Sequence, residues 1–279
     1  MKSDGERLFA AYLRQRRLGW QYEPEIGGRR PDFLVEHPVR SFVAEVYEPQ
    51  IRLPPGGGSF ESYSALRSAF EGRKSKQISA VKRAGLTYVA VVASTNSDIR
   101  IQPLVVAGAM FGNLAVTLRV GPEVCERPDG RTVFGGGGRV QARQFRGVSA
   151  VAILERFNPT QDRLEAATRA RLARLPDWYA TMTPRQIAET KAAVIKLSRE
   201  TAAELIAGGA YDPLARRARL IVLHNPYATF PLGTAVLNGS HDVQWGAVVA
   251  GSQVGYGELD PSAVTCRSHL TELDRSRSS

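Results

Sequence analysis

The chain is short of the residues that most often announce a function. It has only two cysteines, Cys125 and Cys266, among 279 residues. That excludes a disulfide framework and any C-x-x-C metal pattern. No run of about 18 apolar residues occurs, so no membrane-spanning helix is expected. The opening "MKSDGERLFAAYLRQRRLGW" contains acids and an amphipathic pattern, and it lacks the apolar stretch and small-residue cleavage site of a signal peptide. A cytoplasmic protein without a membrane partner is the expectation. Histidine is scarce as well. Only His224 and His241 stand near recognisable loops, in "LHNPYATFPL" and "GSHDVQWG", where they could serve a lid, a subunit contact, a His/Asp metal site or, more often for such residues, ordinary loop hydrogen bonds.

Negative charge is the other shortage. Lysine and arginine total 37 against 27 acids, giving a formal net charge of +10 and a pI of about 9.9. A basic excess favours a polyanionic partner. An Arg-, Ala- and Gly-rich composition of the kind GC-rich coding produces would account for the same figure, so charge needs a site beside it. Hydrophobic residues make up 43% of the chain, enough for a sizeable core.

Residues 3–18 read as a helix. Ser3 and Glu6 have capping-box spacing, and Leu8, Phe9, Tyr12 and Leu13 form an apolar stripe. "WQYEPEIGGRRPDFLVE" alternates, breaks at Gly27-Gly28 and resumes as a strand. "SFVAEVYE" alternates again. A Pro/Gly loop, "PQIRLPPGGGS", precedes a helix expected over 60–84. "LTYVAVVAS" and "VSAVAILERF" read as buried strands. "FGGGGRV" lacks the Gly-Lys-Ser/Thr ending of a phosphate loop and reads as a flexible connection. Residues 160–207 are helical and "RARLIVLHNPYA" returns to strand. The sum is an α/β (α+β) protein: one domain over 1–279, a mixed central sheet flanked by helices, a helical insertion near 160–207, and a frayed tail at 271–279. The insertion's amphipathic helices could form a homodimer surface, clamp DNA, or cover the sheet.

The chemistry gathers in "PDFLVEHPVRSFVAEVYEP", residues 31–49. Asp32 opens one strand and Glu45 lies within the next, on the same side as Val43 and Tyr47. Two hard oxygen ligands on adjacent strands suit Mg²⁺, which keeps most of its waters and takes one or two protein carboxylates. The plain alternative is two solvated acids on an edge hairpin.

The order of Glu6, "YEPEIGGRRPDFLV" and "VAEVYEP" resembles the restriction-endonuclease-like fold of the PD-(D/E)xK nuclease superfamily, over roughly residues 3–112. The remainder, with "RLIVLHNPYATFPL", looks like a bacterial subgroup of unassigned nuclease-like proteins. Pro31-Asp32 and Glu45 match the motif residue by residue, and Glu6 matches the family's helical glutamate. The departure is at position 47, where Tyr47 replaces the motif lysine. The resemblance implies a Mg²⁺- or Mn²⁺-dependent nuclease. Asp32, Glu45 and the Val46 carbonyl would hold the metal, and Glu6 would add an outer contact or a second metal site. Members are also known to carry the lysine on a neighbouring helix.

A helical wheel at about 100° per residue tests that last point. With Lys74 at the origin, Tyr63, Leu66, Phe70, Ile78 and Val81 fall within roughly 80°, and most within 40°. Arg67 is also central and Gln77 lies beside them. Lys74, helped by Gln77, is therefore the candidate for activating water. Snorkelling of its ammonium to solvent is the competing reading. Tyr47 could pack, hydrogen-bond a water or contact a phosphate. With an ordinary pKa of about 10 it is a poor base. Arg29, Arg30 and Arg52 flank the acids as phosphate contacts or as ordinary solvated arginines. The expected function is hydrolysis of nucleic-acid phosphodiesters, DNA rather than RNA. The alternative is a nuclease-shaped protein that binds nucleic acid or a protein without cutting.

Overall fold

The computed structural model describes residues 1–49, 75–95, 101–103, 106–108, 114–116, 132–134, 147–172, 184–225, 228–250 and 253–259. These residues form two compact units, one of residues 1–155 and 218–279 and one of residues 156–217.

The first unit is a mixed α/β assembly. It opens with helix α1 (Asp4–Gln15), followed by β1 (Gly19–Tyr22), β2 (Phe33–Glu36) and β3 (Phe42–Tyr47). Helix α2 (Ser75–Arg83) leads to β4 (Thr87–Ser94), and two short strands follow, β5 (Leu114–Val116) and β6 (Thr132–Phe134). Strand β7 (Ala150–Phe157) runs up to the second unit. After that unit come β8 (Arg217–His224), β9 (Val243–Ala250) and β10 (Gln253–Glu258). The ten strands form one sheet in the order β1-β2-β3-β4-β7-β8-β9-β10-β6-β5.

Strand direction changes along the sheet. β1, β2 and β3 are antiparallel neighbours, whereas β3–β4 and β4–β7 are parallel. At the centre, β4 and β7 are buried on both faces and are correspondingly apolar over most of their length. Helix α1 covers one face, where Leu8, Phe9, Tyr12 and Leu13 join Phe33, Phe42, Ala44, Val46, Val89 and Val91 in a single core. The opposite face packs Val43, Tyr88, Ala90, Val92, Val151 and Ile153 with Val81 of α2.

The helix ends follow from their caps. Ser3 accepts a bond from the Glu6 amide at 3.1 Å and starts α1. At the end of α2, the Leu86 amide donates to Val81 and the Gly85 amide to Lys82, each at 3.1 Å, with Gly85 at φ +71°. That is the Schellman arrangement, which needs a left-handed residue where glycine stands. Helix α1 closes in the same way with Arg17 at φ +55°, although arginine carries a Cβ that this conformation disfavours.

Two features differ from the sequence reading. "WGAVVAGSQVGYGE", to which the sequence reading assigns no element, folds into the antiparallel pair β9–β10. Its glycines interrupt the apolar alternation that marks a strand. The expected helix over 60–84 is described only from Ser75. The loop "PQIRLPPGGGS" beyond Pro49, the four-glycine run and the tail at 271–279 also lie outside the described residues.

The second unit consists mainly of α3 (Gln161–Leu172) and α4 (Pro184–Ala207). Arg171 joins them, bonding Thr201 Oγ1 at 2.9 Å and pairing with Glu204. Asn158 closes its base: Oδ1 accepts from the Thr160 amide at 2.8 Å, and Nδ2 donates to the Asp212 carbonyl at 2.7 Å. Among the described residues, no helix is long and apolar enough to cross a membrane.

Candidate functional site

Strand alternation and register bring Asp32 and Glu45 together. Phe33 faces Ala44 across the β2–β3 ladder, so Asp32 continues the register opposite Glu45. Phe33 and Ala44 point to the α1 side. Asp32 and Glu45, one position away on each strand, therefore point to the α2 side, with Val43, Tyr47 and Tyr88. The two acids brace each other through the backbone. The Val46 amide donates to Asp32 Oδ2 at 2.7 Å, and the Asp32 amide faces Glu45 Oε2 at 3.4 Å. Glu45 is 4% exposed and Asp32 half-buried. The pair lies in the carboxyl half of β3, where Glu45 pairs with Ala90 in the middle of the parallel neighbour β4.

The surroundings carry the charge of these acids. Tyr88 is buried beneath them, and its hydroxyl pKa is pushed well above the usual tyrosine value by burial and then by the charges of Glu45 and Asp32. It therefore stays protonated. Tyr47 is half-buried and packs against the same core.

Glu6 projects from α1, which covers the other face of the sheet. Its carboxylate accepts from the Lys2 amide and, at 2.8 Å, from the Tyr22 hydroxyl. It thus completes a capping box displaced by one residue, reaching Lys2 instead of Ser3. The Tyr22 hydroxyl pKa is pushed up to about 12, first by lost hydration and next by its bond to Glu6. Close approach of α1 to the sheet fixes this geometry. A Cβ on Gly5 would lie 2.9 Å from Ala93 Cβ, and the Gly5 amide donates to Glu48 Oε2 at 3.2 Å.

Gln77, near the start of α2, donates to the Arg30 carbonyl at 3.1 Å. It holds the turn of residues 26–29, where Ile26 and Arg29 bridge each other, directly before Pro31-Asp32. In this turn Gly27 lies under Ala80, 3.3 Å from where its Cβ would sit, and has φ +57°. Arg29 and Arg30 are exposed. Lys74, Arg67 and Arg52 lie outside the described residues.

Donor chemistry limits which ion the acids could hold. Among the described residues, no group of three or more His, Cys, Asp or Glu could hold a metal. A tetrahedral all-protein zinc site therefore has no ligand set among them. Two carboxylates beside the Val46 backbone fit a hard cation that keeps most of its waters, as Mg²⁺ and Mn²⁺ do. His224 Nε2 sits 2.6 Å from Gln244 Oε1, and burial lowers its pKa.

Tyr88 beneath the acids, and Tyr22 and the Lys2–Glu23 ion pair around Glu6, are absent from the sequence candidates. Tyr88 stands in an apolar run that reads only as core. Lys2 and Glu23 are 21 positions apart, with no periodicity to link them. Searches against family models, curated proteins and solved structures give no match for this chain.

Proposed function

We propose that the protein is a metal-dependent nuclease that hydrolyses nucleic-acid phosphodiesters, with DNA ranked ahead of RNA as the candidate substrate. The observation that carries this reading is the mutual bracing of Asp32 and Glu45 on one face of the β2–β3 pair. In this reading Asp32 and Glu45 hold Mg²⁺ or Mn²⁺, with the Val46 backbone beside them. When bound, the ion supplies positive charge for the phosphoryl oxygens and for the attacking water. Arg29 and Arg30, exposed on the turn that Gln77 secures, hold the strand by its phosphates. Lys74 orients the water, and its place in the sequence, four positions before the inward-packing Ile78, motivates that role. The overall basic charge of the chain supports a polyanionic substrate.

A second reading is a non-cutting protein that binds nucleic acid or a protein partner, and Tyr47 in the place of the motif lysine favours it. Incubation with supercoiled, linear and single-stranded DNA and with RNA, in Mg²⁺ or Mn²⁺, separates the two. Cleavage that drops by about a hundredfold or more in Asp32→Asn and Glu45→Gln is expected for the nuclease. Wild-type protein inert on every substrate, or activity unchanged in Asp32→Asn, sinks it.

A further inference from the structure

The strand that begins at Asp32 is linked, through Glu23, to a lysine that neither the motif nor the helical wheel supplies. Lys2 Nζ pairs with Glu23 Oε1, and its own amide donates to Glu6. Glu23 is in turn fixed to the candidate site, because its amide donates to the Asp32 carbonyl at 2.9 Å. Glu23 also sits at φ +49°, one of two non-glycine residues in the left-handed region among those described. Such a conformation costs energy and persists only where its surroundings impose it. Here it turns the chain between β1 and the 26–29 turn, with the Glu23 carboxylate paired to Lys2.

The Lys2 side chain is 77% exposed and that of Glu23 32%. Such an exposed ion pair adds little to stability and exchanges readily with solvent and other anions. The negative charges acting on Lys2 are Glu23 first, then Glu6 and, least, Asp32. An ammonium held among acids and linked through Glu23 to the strand of Asp32 is poised to meet a phosphate delivered there. We infer that Lys2 is a phosphate-binding residue of this site, parked on Glu23 while the site is empty and transferred to a phosphate of the bound strand. Glu23 then acts as the anion that the substrate must displace. This assignment rests on the nucleic-acid reading above, but it concerns binding and does not need cleavage.

The two partners should shift binding in opposite directions. With fluorescein-labelled single- and double-stranded oligonucleotides in EDTA, Lys2→Ala is expected to weaken binding about threefold to tenfold. It should also reduce the slope of log K against log salt by about 0.7–0.9, the loss of one phosphate contact. Lys2→Arg should restore both. Glu23→Gln is expected to tighten binding, because the lysine no longer needs displacing. A purely structural pair would leave affinity and salt slope unchanged in both variants, and that result overturns the assignment. Weaker binding in Glu23→Gln than in wild type also overturns it. Failure of the nuclease reading shows separately, as wild-type protein that binds oligonucleotide but never cleaves it with Mg²⁺ or Mn²⁺.

Discussion

Replacing Asp32 by asparagine should make the protein more stable while it removes metal binding. The new carboxamide would keep an oxygen for the Val46 amide, now met at 2.7 Å, and would change the volume little. What the substitution removes is one of two like charges. Residues opposed across antiparallel strands have Cβ atoms about 5 Å apart. At that separation and an effective dielectric constant near 20, repulsion is about 3 kcal/mol. Asp32 is half-buried and Lys2 is close by, so solvent and counter-charge reduce the figure to about 1 kcal/mol. Urea unfolding monitored by circular dichroism, with divalent ions chelated, should therefore show a higher midpoint for Asp32→Asn. Addition of Mg²⁺ at ten times its dissociation constant should stabilise the wild type by about 1.4 kcal/mol and leave the variant unmoved. The two curves then converge or cross. If Asp32→Asn lowers metal-free stability by more than about 1 kcal/mol, the acids are not held against mutual repulsion and the site is structural. Equal stabilisation of both proteins by Mg²⁺ would show that the ion binds elsewhere.

Two further predictions concern the frame around the site. Asp242 accepts from the buried Tyr12 hydroxyl at 2.6 Å, the Gly239 amide at 2.7 Å and the Leu220 amide at 2.9 Å. Asp242→Ala should cost about 3–5 kcal/mol in urea unfolding, because three donors lose a charged acceptor, whereas Tyr12→Phe should cost only about 1–2 kcal/mol. His224 and His37 both have pKa values lowered from 6.5, mainly by burial, so the folded chain takes up those protons less readily than the unfolded one. Stability should consequently fall as pH drops through about 6.5, and His224→Gln should flatten part of that fall; a slope of the opposite sign would refute the argument.

How much of this is legible in the sequence depends on how local the cause is. Ser3 and Glu6 mark the start of α1 because a cap is a three-residue device. The alternation in "SFVAEVYE" puts Glu45 and Val46 on opposite faces, and with the matching start at Pro31-Asp32 it brings both acids to one side. Strands β4 and β7 are readable as buried runs, but an apolar run does not say which neighbour it takes, so the placement of β7 between β4 and β8 is not legible. Strands β9 and β10 escape the pattern because their glycines break the period. The Lys2–Glu23 pair depends on where a helix start meets a strand end, which no window of sequence contains. The restriction-endonuclease-like topology itself rests on resemblance, and the mixed α/β sheet is the part the fold carries.

The ion pair between Glu155 and Arg219 has a consequence for how the chain could be edited. Arg219 Nε and Nη2 reach Glu155 Oε1 at 2.8 and 2.7 Å, while the Asn225 amide donates to the Ser149 carbonyl at 3.0 Å. Contacts at both ends thus run β7 and β8 side by side in opposite directions, and residues 156–217 leave and re-enter the sheet between these neighbours. Opposed neighbours are the arrangement a short hairpin turn can close. The sheet and its paired acids are therefore compatible with a minimal chain in which a few turn residues replace the whole second unit, while that unit's sequence is left free to diverge or be exchanged.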